Sequence, residues 1–180
     1  MGFADRYIQA LAASNLRSDA QHHQADPLMA AAFAAAESKG DIGLLLYRVK
    51  YADGLGAKAF EGNSANLAQL LRLWTAEVSK RGRARRWVPE NTAWDAQAAR
   101  KLYRTVAEHS LAYWLDSRCK ECAGTGAGEA RSCPACEGKG EAPIACAGGF
   151  VRERVKDMVS ELHNIVATQA RLANRRLRSK

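Results

Sequence analysis

The stretch CKECAGTG at 119–126, answered by CPACEGKG at 133–140, decides how this chain reads. Each half has the form C-x-x-C-x-G-x-G, and ten residues separate the pairs Cys119/Cys122 and Cys133/Cys136. Two closely spaced thiol pairs present four sulfurs to one point, which is the donor set of a tetrahedral Zn²⁺ site. The turn behind each pair must be sharp enough to aim backbone N–H groups at the sulfurs. Gly124, Gly126, Gly138 and Gly140 supply the positive φ such turns need. An all-cysteine set of four leaves no open coordination position, so the expected cofactor is one structural Zn²⁺ held by Cys119, Cys122, Cys133 and Cys136.

Other uses of these cysteines fit less well. A disulfide framework needs an oxidising compartment, and the opening MGFADRYIQALAASN places Asp5 and Arg6 where a signal peptide needs an apolar run. A redox C-x-x-C belongs with a βαβ pattern, which this sequence lacks. Cys146, ten residues after Cys136, reads as a bystander thiol. The expected location is the reducing cytoplasm.

Outward from the tip, the chain reads as mainly α, a helical domain with the four-cysteine insertion between its last two long helices. Ala, Leu, Arg, Glu and Gln fill the long segments and β-branched alternation is nearly absent. A short amphipathic helix is predicted over 3–13, and an Ala-rich one, opened by Asp26-Pro27, runs to about Ser38. Asp41 caps a further one carrying Ile42, Leu45, Leu46 and Val49. Residues 51–63 are glycine-spaced and looser. The adjacent His22 and His23 cannot share a helix face and are read as surface residues.

From Ser64 to Ser79 the stripe Leu67, Leu70, Leu71, Trp74 and Val78 predicts one buried helix face. The basic run after it, with Val88-Pro89, is expected to break the chain. Asn91 or Thr92 then starts a helix to about Leu115, with Trp94, Ala98, Leu102, Val106, Leu111 and Trp114 as inward positions. A last helix runs from Phe150 to about Arg176, with Val151, Val155, Met158, Leu162, Ile165, Gln169 and Leu172 at near-heptad spacing, packing within the chain rather than against a second copy. The expected organisation is a helical region over 1–88. Residues 89–180 then supply long helix, zinc tip (about 117–147) and C-terminal helix, in one unit with the first part.

The formal charge is +8 over 180 residues. One Zn²⁺ on four thiolates removes about two of those charges, and the protein stays basic. Lys80, Arg81, Arg83, Arg85 and Arg86 form a dense cluster ahead of Trp87, and Arg171, Arg175, Arg176, Arg178 and Lys180 add a second with no acid among them. Arginine suits bidentate phosphate contact, so Arg81, Arg83, Arg85 and Arg86 are candidate nucleic-acid contacts. The tip has mixed charge, with Arg118, Lys120, Arg131 and Lys139 against Glu121, Glu129 and Glu137, and makes a poor phosphate clamp. No catalytic constellation is evident. A zinc deaminase needs H-x-E and P-C-x-x-C, whereas Ser132 precedes Cys133 and Ser110-Leu111 follow His109. A non-enzymatic role is expected.

The repeated CxxCxGxG resembles the cysteine-rich region of DnaJ-type chaperones. It has two repeats where that family has four, and no His-Pro-Asp of a J domain. In organisation the chain is similar to the phage lambda Q-type late-gene antitermination proteins, which are small, basic and largely helical with one such tip in the C-terminal half. SRCKECAGTG and CPACEGKG within 117–140, preceded by HSLAYWLD at 109–116, carry that resemblance. It implies a transcription regulator that binds double-stranded DNA at a phage or prophage late promoter and acts on RNA polymerase holoenzyme; the absence of a long apolar run and the inward stripe of the last helix add the expectation of no membrane and a monomer. The alternative implied by the first resemblance is a DnaJ-like protein-interaction module without a J domain. The motif fixes only the four cysteines; the arginines rest on charge.

Overall fold

The computed structural model describes residues 42–47, 49–50, 64–128, 131–145 and 148–178, and these are mainly helical. The elements are α1 (Ile42–Tyr47), α2 (Ser64–Ala84), α3 (Ala93–Leu115) and α4 (Gly149–Arg178). The four-cysteine tip lies between α3 and α4, as the sequence predicts. Among the described residues there is no strand, only two isolated β-bridges, both in the tip. No described helix is long and apolar enough to cross a membrane. The helices predicted over 3–13 and 27–38, His22, His23, the glycine-spaced segment 51–63 and Cys146 lie outside the described residues.

The chain divides into two compact units, and the division falls inside α2 (Leu73/Trp74) and inside α4 (Leu162/His163). In the first unit Leu44, Leu46, Val49, Leu70 and Gln169 are buried, while Leu172 is exposed. The second unit, Trp74–Leu162, carries the tip. Its core is built from Trp74 and Val78 of α2, Tyr103, Val106, Leu111 and Trp114 of α3, and Val155, Met158 and Leu162 of α4. Buried Trp74 donates from Nε1 to Ser110 Oγ at 2.9 Å, and Ser110 Oγ donates in turn to Ala107 O at 3.2 Å. The indole nitrogen is thus satisfied without water, which a buried donor requires.

α3 starts at a capping box. Thr92 Oγ1 accepts from the Asp95 amide, and the Asp95 carboxylate accepts from the Thr92 amide. This satisfies two of the amides that every helix start leaves open. The inward face differs from the predicted one. Ala99, Tyr103, Val106, Ala107, Ser110, Leu111 and Trp114 are buried, whereas Ala98 is exposed and Trp94 is 80% exposed. Trp94 stands nine positions before Tyr103, and at about 100° per residue that is half a turn around the helix. An apolar residue in the first turn fitted the pattern in sequence but faces away from the stripe.

α2 also differs, extending five residues past the predicted Ser79 to Ala84. The basic run, with Val88-Pro89, suggested a break there. Arginine is a good helix former, however, and Arg81 Nε bonds Glu77 at 2.8 Å one turn back. Gly82 is buried because α3 passes close by. A Cβ there would collide with the Tyr103 ring, lying 2.9 Å from its Cδ1, and would sit 3.0 Å from Trp87 Cε3. Gly82→Ala therefore tests packing against propensity. Alanine favours the helix by about 1 kcal/mol, and the overpacking costs about 1–3 kcal/mol. A net loss in denaturant titration is expected, and a gain would show that Tyr103 moves aside freely.

Glu161 of α4 ties the end of α2 down. It pairs with Arg81, and it accepts from Arg85 Nη2 at 2.8 Å. Burial pushes the Glu161 carboxyl up, and the two guanidiniums pull it down by more, leaving it below the usual carboxylate value. A group depressed in the folded state stabilises above its unfolded pKa, and the contribution fades as pH falls through the folded one. The stability gap between the wild type and Glu161→Gln is therefore expected to be full near neutrality and to close below about pH 4. A gap of equal size in acid would assign the contribution to packing instead.

Candidate metal centre

The tip begins directly after the α3 C-cap, Asp116, whose carboxylate accepts from Arg118 Nε at 3.1 Å. Its two halves are related by a shift of fourteen residues, the separation of Cys119 from Cys133 and of Cys122 from Cys136. Within each half the second turn is the same. Gly124 N donates to Cys119 O and Gly138 N to Cys133 O, at 3.1 and 3.2 Å. Thr125 N donates to Cys122 O and Lys139 N to Cys136 O, at 2.9 and 3.0 Å. Between halves the bonds are reciprocal. Cys119 N donates to Gly140 O and Cys133 N to Gly126 O, both at 2.8 Å, while the bridges Arg118↔Glu141 and Ala127↔Ser132 flank them. Reciprocal bonding of this kind gives the tip an approximate two-fold axis.

Shape at the axis depends on glycine. Gly126 and Gly140 both have φ +73. A Cβ on Gly140 would lie 2.5 Å from Gly124 O, and one on Gly126 would strike Gly138 O. Those neighbours are backbone and cannot turn away. Gly140→Ala is expected to cost more than about 1 kcal/mol from φ alone, with the collision added. Weaker retention of metal against a chelator would report it; unchanged retention would mean the two halves can separate slightly without loss.

The structure brings all four predicted cysteines together. Their sulfurs lie within 4.8 Å of one another, all four residues are buried, and they form a cluster of their own. Cys119 Sγ is 4.0 Å from Cys133 Sγ, and Cys122 Sγ is 3.7 Å from Cys136 Sγ. Those separations are far beyond a disulfide bond of about 2.05 Å. They are close to the edge of about 3.8 Å of a tetrahedron with metal–sulfur bonds near 2.3 Å. The four residues can therefore coordinate one metal ion.

Backbone amides complete the electrostatics. Gly126 N–H points at Cys122 Sγ (3.2 Å) and Gly140 N–H at Cys136 Sγ (3.3 Å). Burial pushes the Cys122 thiol up. The amides of Gly126 and Gly124, with the neighbouring Cys136 and Cys119 thiols, outweigh that and bring it down to about 6 from an ordinary 9.0. A Cys122 biased toward thiolate suits a cation.

Two features of the tip escape a glycine-centred reading. Ala123 and Glu137 also have positive φ, 50 and 52. They stand at equivalent places, each directly after its second cysteine, so the repeat itself was the available signal. The Thr125 hydroxyl donates to Cys122 O at 2.8 Å, a role Lys139 cannot copy in the other half.

The predicted arginines are dispersed in their duties. Arg81 is half-buried between Glu77 and Glu161, and Arg85 also bonds Glu161. Arg83 bonds Glu90 through Nε at 3.2 Å, and Arg86 is exposed. Of the second basic cluster Arg171 is exposed. No family model, curated protein or solved structure matches this chain.

Proposed function

We propose that the protein is a zinc-bound, DNA-binding transcription regulator of the antiterminator type, acting on RNA polymerase holoenzyme at a phage or prophage late promoter. The observation that carries the reading is the buried four-thiol knuckle built from two CxxCxGxG halves between two long helices of a basic chain. Zinc suits the site because it accepts four thiolates at tetrahedral geometry without redox chemistry. Its work there is structural: held by Cys119, Cys122, Cys133 and Cys136, it offsets the ordering entropy of a glycine-rich loop. The tip then holds α3 and α4 together at one end, and the basic surface meets phosphate. On this reading the protein works as a monomer in the host cytoplasm.

One observation favours the protein-interaction alternative. Trp94, 80% exposed on α3, is an apolar anchor of the kind partner proteins use. A salt-titrated assay on duplex DNA, with and without holoenzyme, separates the two. The regulator is expected to bind DNA with a steep salt dependence and to gain sequence preference with holoenzyme. Absence of binding in both arms would overturn it in favour of the interaction module.

A further inference from the structure

The arginines of the cluster Lys80–Arg86 differ in how fully the fold engages them. Arg81 lies between Glu77 and Glu161, and Arg85 reaches the same Glu161. Their charge is spent on α2 itself and on α4. Arg83 and Arg86 differ. They line one open cleft of about 670 Å³ with Val88, Pro89, Glu90 and Asn91.

Arg83 is ion-paired with Glu90 there, through Nε alone. Its Nε faces both Glu90 oxygens at 3.2 Å, and its guanidinium carbon lies 5.9 Å from the centre of the Tyr103 ring. Glu90 is itself anchored by the Tyr103 hydroxyl, which donates to Oε1 at 2.8 Å. The terminal nitrogens of Arg83 carry no hydrogen bond among the described residues, and the side chain is 56% exposed.

Arg86 is the more telling residue. α2 ends in a Schellman turn, in which Arg86 N donates to Arg83 O and Trp87 N to Gly82 O, both at 3.0 Å. The left-handed position of such a turn normally holds glycine, and here Arg86 occupies it at φ 51. An exposed arginine thus takes a conformation unfavourable to it, and it forms no ion pair among the described residues. Backbone strain at an exposed arginine with no ion pair, lining a cleft beside a second arginine, is what motivates a ligand role for it.

We infer that Arg83 and Arg86, and not Arg81 or Arg85, form the phosphate-contacting site of this protein, gripping the backbone of duplex DNA at the corner between α2 and α3. The inference rests on the DNA-binding reading above and sharpens it. The cleft holds two guanidiniums against one carboxylate that is already bonded on both oxygens, so a net positive charge faces solvent. Arginine at a helix C-terminus can also serve the helix macrodipole, and that role predicts the opposite response to mutation.

The test uses the full metal-loaded chain, a mixed-sequence duplex DNA and three variants. Arg86→Gly relieves the backbone, so its melting temperature is expected to equal or exceed that of the wild type. The slope of log binding constant against log salt is expected to become shallower by about 0.9. Arg83→Gln combined with Arg86→Gly removes about twice that. Arg85→Gln breaks the Glu161 contact, so its melting temperature falls while the salt slope holds. Stability and binding therefore separate. A wild-type slope in the Arg86→Gly and double variants, with DNA still bound, would overturn the inference and leave the DNA reading standing. A drop in melting temperature for Arg86→Gly with no change of slope would assign Arg86 to the macrodipole. A wild-type protein that binds no duplex would overturn both.

Discussion

Cys133→Ser is expected to release the metal and unfold the tip while leaving the three long helices formed. Structural four-ligand sites hold zinc with apparent free energies of about 10–16 kcal/mol, and that energy is also the folding energy of the segment around the ion. Among the described residues, the tip's buried hydrophobic cluster consists of the four cysteines alone. The core residues Trp74, Tyr103, Val106, Val155, Met158 and Leu162 are all outside 117–142. Metal content should fall from one ion per chain toward none under a chelator. Amide exchange at Gly126 and Gly140 should become fast, with helicity largely kept. Because the two halves are equivalent by a fourteen-residue shift, Cys119→Ser should match Cys133→Ser closely. Metal held at full stoichiometry with protected glycine amides would refute the assignment.

Trp74→Ala carries the second large effect. The indole is wholly buried, and deleting it leaves a cavity in a close-packed interior, at a cost of about 3–5 kcal/mol. A domain with roughly 5–15 kcal/mol in hand loses between about a fifth and all of it. Ser110 refines the prediction. Its hydroxyl keeps its own acceptor, Ala107 O, when Trp74 is gone, whereas Ser110→Ala strands the Trp74 N–H. That second change is expected to cost about 1–3 kcal/mol despite removing one oxygen. Urea titrations of both variants would measure this, and a loss under about 1 kcal/mol for Trp74→Ala would mean the neighbouring helices close over the space.

What the sequence made legible, and what it did not, follows from the range of each force. The cysteine ligands were readable because four thiols in a repeated spacing have few other uses. The start of α3 was readable to within one residue, Asn91 or Thr92, because a cap is local chemistry. The length of α2 was not, since the basic run looks like a break until Glu77 and Glu161, the latter on α4, are seen paired with its arginines. Trp94 misled for a related reason: periodicity gives the spacing of a face but not which face turns inward. The arginines were legible as charge and illegible as roles, because Glu77, Glu90 and Glu161 sort them, and the last of these lies on a different helix.

The reciprocal bonding of the tip has a consequence for assembly. Each half closes its own turns but leaves its first cysteine amide to the other: Cys119 needs Gly140 from the second half, and Cys133 needs Gly126 from the first. In that respect the tip is a dimer of two nearly identical short peptides written on one chain. Separated, each would have to find the other in solution before an ion could hold them. The turn where Gly128 N bonds Arg131 O at 2.7 Å keeps them at an effective concentration of millimolar order or above. A synthetic peptide of one repeat should then assemble two-to-one around zinc only when its own concentration approaches that value.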